Sequence, residues 1–138
     1  MRPVKFRAVR YTDGVLEKIY DVTGIDYDED FGVFNARLKN NEWLINIIPL
    51  QSTDLKDKNG TEIFEGDIVK RTYLFDGGYG ETHTGKIVYD KEYARYIISR
   101  PQKHIEPKTE DLRNTLSDKS TYEVIGNIYE NRELLEEI

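Results

Sequence analysis

The sequence predicts a mainly β fold, a small, partly open β-barrel with an N-terminal hairpin and a short C-terminal helix. Three observations predict it. Short segments of strand-forming residues recur at regular spacing along the chain. Turn signals such as Thr12-Asp13-Gly14, Asn59-Gly60 and Asp76-Gly77-Gly78 separate them. The 138 residues include 10 tyrosines, 5 phenylalanines and 1 tryptophan, a composition that favours strands over helices.

The elements follow in order. Lys5 to Tyr11 (KFRAVRY) alternates in character, and Thr12-Asp13-Gly14 turns it into Val15 to Val22 (VLEKIYDV), giving a hairpin. Asp26 to Asp30 (DYDED) reads as an acidic loop and Phe31 to Leu38 as a further strand. Trp43 to Ile48 is a buried strand or short helix ending at Pro49, because a proline pushes its predecessor out of the α region. Asp57-Lys58-Asn59-Gly60 carries Asn-Gly, whose two residues tolerate positive φ, so it is a tight turn. Ile63 and Phe64 supply apolar bulk, Gly66-Asp67 makes a bulge or sharp bend, and Ile68 to Phe75 is a strand. Gly85 to Asp90 and Ala94 to Arg100 pair through the turn Asp90 to Tyr93. Residues 101–120 are polar, with Thr109 as the cap of a short helix carrying Leu112 and Leu116. Thr121 to Ile128 is the last strand, and Asn131 caps a terminal helical turn with Leu134, Leu135 and Ile138 on one stripe.

Three of these stretches are LKDKNGTEIFEGDIVK (Leu55 to Lys70), GKIVYD (Gly85 to Asp90) and YEVIGNIYENRELL (Tyr122 to Leu135). Together with KFRAVRY they resemble the YopX family, small proteins encoded mostly by bacteriophages and prophages. The resemblance runs from Lys5 to Leu135. Two positions depart from the family pattern. Thr53-Asp54-Leu55 stands where Thr-Gly-Leu is usual, which leaves open whether residue 54 needs a positive φ. Arg132 stands where proline often follows the asparagine of the closing motif. The resemblance implies one domain over 1–138, an SH3-like β core over approximately 55–130, and a phage or prophage origin. It implies no activity and supplies no catalytic residues.

Composition narrows the function classes. Cysteine is absent, so no thiolate serves as nucleophile or metal ligand, and a reducing cytoplasm is the expected location. The most apolar run, Trp43 to Leu50, falls far short of the ~20 residues of a membrane span, and the opening MRPVKFRAVRY lacks the apolar core of a signal peptide. With 26 acidic against 20 basic residues the net charge is −6, which disfavours a duplex-DNA binder. Gly80 to Lys86 (GETHTGK) spells most of a phosphate-binding loop, but Ile87 stands where the magnesium-binding Ser or Thr belongs, and a strand follows instead of a helix. It therefore reads as a glycine-rich hairpin loop. His83 and His104 lie in polar stretches without a second histidine or a cysteine nearby, so no zinc site is expected. No constellation meets the preconditions of an active site, and no cofactor is expected.

The candidate sites that remain are binding sites. Lys70, Arg71, Tyr73, Lys86, Tyr89, Arg95 and Tyr96 interleave basic and aromatic residues on neighbouring strands, the composition of a face that binds single-stranded nucleic acid. The same residues also fit tyrosines that pack and lysines that solvate an edge. Trp43, Leu44, Ile45, Ile47 and Ile48 form an apolar segment that a single barrel core does not obviously cover, a candidate for self-association. Asp26, Asp28 and Asp30 are a weak metal candidate, since the positions of a calcium loop that would follow them hold Phe31 and Arg37. The expectation is a non-enzymatic interaction module that binds a protein partner, with single-stranded nucleic-acid binding as the alternative.

Overall fold

The structure, a computed structural model, describes residues 5–75, 78–102, 105–112 and 120–135. The chain forms two compact units, Met1–Ser52 and Thr53–Ile138, and all strand pairs described below are antiparallel.

In the first unit β1 (Phe6–Thr12) and β2 (Val15–Asp21) form the expected hairpin. Asp13 and Gly14 carry φ of 51° and 79°, the two positive values that a two-residue turn matched to strand twist requires. Strands β3 (Gly24–Asp28) and β4 (Val33–Arg37) make a second hairpin. Much of the acidic stretch is therefore strand rather than loop: Ile25 and Tyr27 alternate with the aspartates and pair with Ala36 and Phe34. The strand order is β2-β1-β5-β4-β3, with β5 (Trp43–Lys56) in the middle.

Pro49 does not end its strand, because β5 changes partners along its length. Its register with β4 runs from Trp43 to Ile47, and its register with β1 runs from Ile48 to Gln51. The proline, opposite Ala8, thus lies past the last β4 pair, where a missing N–H breaks no ladder on that side. Ala8, Ala36, Leu44 and Ile47 form the core of this unit, with Tyr20, Val22, Ile25 and Leu38 packed against them.

The second unit holds β6 (Glu62–Phe64), β7 (Asp67–Phe75), β8 (Gly78–Asp90), β9 (Arg95–Gln102), β10 (Ile105–Asp111) and β11 (Ser120–Asn127). Its five-stranded sheet has the order β10-β9-β8-β7-β11, and β6 pairs with β5. Ile63, Val69, Ile87, Ile98, Leu112 and Tyr122 form its core, joined by Leu55, Tyr96 and Val124. Neither strand path closes on itself, so the architecture is two open antiparallel sheets and no closed barrel.

Three sequence expectations change here. Gly80 to Lys86 is part of strand β8, where Gly85 faces Val69 on β7 and must stay small: an added Cβ would lie 2.5 Å from Ile98 Cγ2. His83 accordingly sits in a strand. Thr109 is no helix cap but a residue of β10, opposite Ser99 of β9; Leu112 stands just past the end of that strand in helical conformation, and Leu116 lies outside the described residues. The terminal helix is a 3-10 turn, Arg132–Leu135. The Asn131 side chain points back, accepting the Asn127 N–H at 3.2 Å, and its backbone carbonyl accepts the Leu134 N–H at 3.0 Å. The turn Asp76-Gly77 and His104 lie outside the described residues. Among the described residues no helix is long and apolar enough to cross a membrane.

Candidate functional site

The apolar segment of β5 divides between core and surface. Leu44 and Ile47 are buried, whereas Trp43, Ile45 and Ile48 are 45%, 59% and 43% exposed. Strict alternation would put Ile45 and Ile47 on one face. A bulge at Asn46 changes the parity: its φ is 59°, and its N–H donates to Asn35 Oδ1 at 3.1 Å while the β4 register shifts between Phe34 and Ala36. The extra residue sends Leu44 and Ile47 inward together and leaves Trp43, Ile45 and Ile48 outward. Arg37, opposite Trp43 in the register, holds its guanidinium 4.9 Å from the indole ring.

The basic-aromatic set of the second unit divides as well. Lys70 and Arg71 are adjacent on β7 and so point to opposite faces. Arg71 is buried, its guanidinium 5.7 Å from the Tyr122 ring. Lys70 is exposed and pairs with Thr84, two residues from Lys86, so both lysines share a face. Asp90 and Arg95 pair on that same face, and Arg95 Nε donates to Asp90 Oδ2 at 3.3 Å. Tyr89 and Tyr96 are opposite one another on the other face, their rings edge to face at 5.3 Å. The strands thus bring the two tyrosines together and separate them from the lysines. Tyr73 lies in β7; its side chain is outside the described ones.

The Tyr89–Tyr96 pair borders a cleft of about 300 Å³. Leu55 from β5 and the fully buried Leu112 supply apolar lining, and Thr53, Ala94 and Arg95 also border it. The Thr53 hydroxyl is already used, donating to the Ile63 carbonyl at 2.7 Å and accepting the Leu55 N–H at 3.2 Å. The Arg95 guanidinium, held by Asp90, lies 5.1 Å from the Tyr93 ring. Burial, and secondarily the Glu65 carboxylate, push the Tyr96 hydroxyl up to about 12, so it stays protonated at neutral pH. Sequence reasoning singled out Tyr89, Arg95 and Tyr96 but missed Thr53, Leu55 and Leu112, which reach the cleft only through folding.

Asp28 Oδ1 accepts the N–H groups of Asp30 and Phe31 at 3.0 and 3.3 Å, closing the β3–β4 turn. Among the described residues no group of three or more His, Cys, Asp or Glu side chains could hold a metal ion.

A family model described as YopX protein matches residues 5–136. The chain belongs to the YopX family. No curated protein matches it. Among solved structures it is similar to protein EF1440 from Enterococcus faecalis, a crystal structure, at 27% identity over 96% of this chain and 98% of that one, with a TM-score of 0.50. In this YopX family member the residues that carry the resemblance hold the backbone. Gly66, at φ 83°, turns β6 into β7, donating its N–H to the Ile87 carbonyl and accepting the Ile128 N–H. Asp67 Oδ2 accepts the Phe64 N–H at 2.8 Å across the same turn. In the closing motif Asn127 Oδ1 accepts from Tyr129 and Glu130, and Gly126 leaves room for Asn131, whose Oδ1 would lie 2.6 Å from an added Cβ. Asp54, where the family pattern has glycine, does adopt a positive φ of 63°.

Proposed function

We propose that the chain is a non-enzymatic interaction module of phage or prophage origin that acts by binding a protein partner. The observation that carries this reading is the outward row Trp43, Ile45 and Ile48 on β5. Contiguous exposed apolar side chains mark interaction sites, and interface cores are enriched in aromatic residues and arginine. Arg37 stacked on Trp43 adds the pair of residue types most often found at interface hot spots. The origin rests on family membership, as does an SH3-like description of the second unit. Single-stranded nucleic-acid binding has less support, because Lys70 and Lys86 lie on the opposite face of the sheet from Tyr89 and Tyr96.

The test is affinity capture from a lysogenic or infected host with the natural chain and with a Trp43→Glu, Ile45→Glu double variant. A partner held by the first and lost by the second, with both folded by circular dichroism, supports the reading; an identical captured set overturns it. A second copy of the chain is one admissible partner. Sedimentation equilibrium reads it directly as a multiple of 16.2 kDa that the double variant returns to the monomer mass.

A further inference from the structure

Strand β3 ends the order β2-β1-β5-β4-β3 and so forms one edge of the first unit's sheet. Its partner β4 takes up the backbone N–H and C=O groups of alternate residues. Those of the residues between them point away from β4, a template for a further strand. Side chains alternate along the same edge, with Ile25 and Tyr27 on one face and Asp26 and Asp28 on the other.

Two observations define the strand that fits. The first is aromatic. The rings of Tyr27 and Phe34 lie 4.8 Å apart and are 51% and 39% exposed, and Phe31 at the hairpin tip is 80% exposed. An edge that only repels other strands gains nothing from exposed rings, whereas apolar side chains of an added strand would pack against Ile25 and Tyr27. The second is charge. From Ile19 to Ala36 the sequence holds Asp21, Asp26, Asp28, Glu29 and Asp30 and neither lysine nor arginine. Asp28 turns one oxygen to its own turn, and Asp26 is exposed in mid-strand. Opposite charges facing each other across strands are favourable, and like charges are not. The other edge, β2, selects no sign: it carries both Glu17 and Lys18, with Arg10 on Glu17 and Arg7 on Asp21. A second copy of β3 is a poor match, because pairing in either direction sets its aspartates against aspartates or against Ile25 and Tyr27.

We propose that β3 takes up a strand of a partner protein in which lysine or arginine alternates with apolar residues. Basic side chains lie beside Asp26 and Asp28, apolar ones against Ile25 and Tyr27, and the backbones pair along the edge. The edge is the site, and the carboxylates select its occupant. The Trp43 row lies on another strand, β5, so either surface can fail without the other.

The test is a chemical-shift titration of the full chain with acetyl-Lys-Val-Lys-Val-Lys amide, run beside acetyl-Glu-Val-Glu-Val-Glu amide. The expected result is a saturable shift of the Gly24 to Asp28 amide resonances with the basic peptide alone, weakened by added salt. Two N-methylated forms of the basic peptide, one methylated at its valine nitrogens and one at its lysine nitrogens, separate strand addition from attraction of charge. A strand presents only one of its edges to β3, so one form should lose binding and the other keep it. Asp26→Lys should weaken the basic peptide about threefold to fivefold, the measure of one cross-strand charge pair, and let the acidic peptide bind in its place. The proposal is overturned if the basic peptide gives no saturable shift at β3, if the acidic peptide matches it, or if the two methylated forms behave alike. Shifts of the β3 resonances on dilution of the chain alone would mean self-pairing and also overturn it. Where Asp26→Lys does not fold, the methylated pair still decides.

Discussion

Asp57 Oδ2 accepts the backbone N–H of Val124 at 2.9 Å, across 67 positions of sequence. The other carboxylate oxygen accepts the N–H groups of Asn59 and Thr61, both at 2.9 Å, and the Lys58 N–H donates to the Tyr122 carbonyl. One buried side chain thus closes the Asn-Gly turn and fastens it to β11. A carboxylate can do this where an amide cannot, because the amide nitrogen is a donor and cannot accept the Val124 N–H.

Asp57→Ala should therefore destabilise the fold by about 2–4 kcal/mol, the range for removing an ionised acceptor of several backbone bonds. Asp57→Asn should cost less, since it keeps an acceptor for the turn and loses the bond to β11. Urea denaturation of the three proteins checks the order. An asparagine variant as stable as the natural chain would show that the Val124 bond contributes nothing.

Features set by neighbouring residues were legible in the sequence. The Asp13-Gly14 and Asn59-Gly60 reversals are of this kind, since Gly14 and Gly60 have φ of 79° and 81°. The apolar bulk assigned to Ile63 and Phe64 was legible too, since both side chains are buried. What failed depended on pairing. Thr109 sits where a helix cap fits the sequence but lies in the strand that pairs with β9, and Asp26 to Asp28 look like a loop until β4 is beside them. The Asn46 bulge has no local signal that distinguishes it from an ordinary strand residue, yet it decides which of the β5 side chains are exposed. The separation of Lys70 from Arg71 was readable by strand parity alone. The cleft was not, because Leu55, Tyr89 and Leu112 meet only after the strands have assembled.

Gly85→Ala should overpack the β8–β9 contact. The new methyl carbon would lie 2.5 Å from Ile98 Cγ2 and 3.1 Å from the Ser99 carbonyl oxygen, and the second neighbour is backbone that cannot swing aside. A loss of about 1–3 kcal/mol is expected. Gly24→Ala is the internal comparison, since nothing lies within 4 Å of its added Cβ. Thermal unfolding of both variants decides the matter; equal melting temperatures would remove the steric account of Gly85.

Residue 54 is a substitution site with a defined sign. Asp54 holds a φ of 63°, where a Cβ is unfavourable and glycine is not. Asp54→Gly and Asp54→Ala both delete the carboxylate, so their difference isolates the backbone. The glycine variant should be more stable than the alanine variant by about 1 kcal/mol. An alanine variant equal to or above glycine in denaturant midpoint would mean that the positive φ is not maintained in solution.

Tyr96 makes stability fall at alkaline pH. Its hydroxyl ionises at 10.0 without the fold and at about 12 within it, raised first by burial and then by the Glu65 carboxylate. Below pH 10 both states keep the proton and the group adds no pH dependence. Between 10 and 12 the unfolded chain releases the proton and the folded chain retains it, so the unfolded state binds fewer protons and stability declines as pH rises. Tyr96→Phe removes the ionisation and should flatten this part of the profile while leaving the neutral region unchanged in slope. Melting temperatures of the two proteins through that interval make the comparison. Parallel curves would show that Tyr96 titrates alike in the folded and unfolded chain, and that its hydroxyl is not held in a desolvated position beside the cleft.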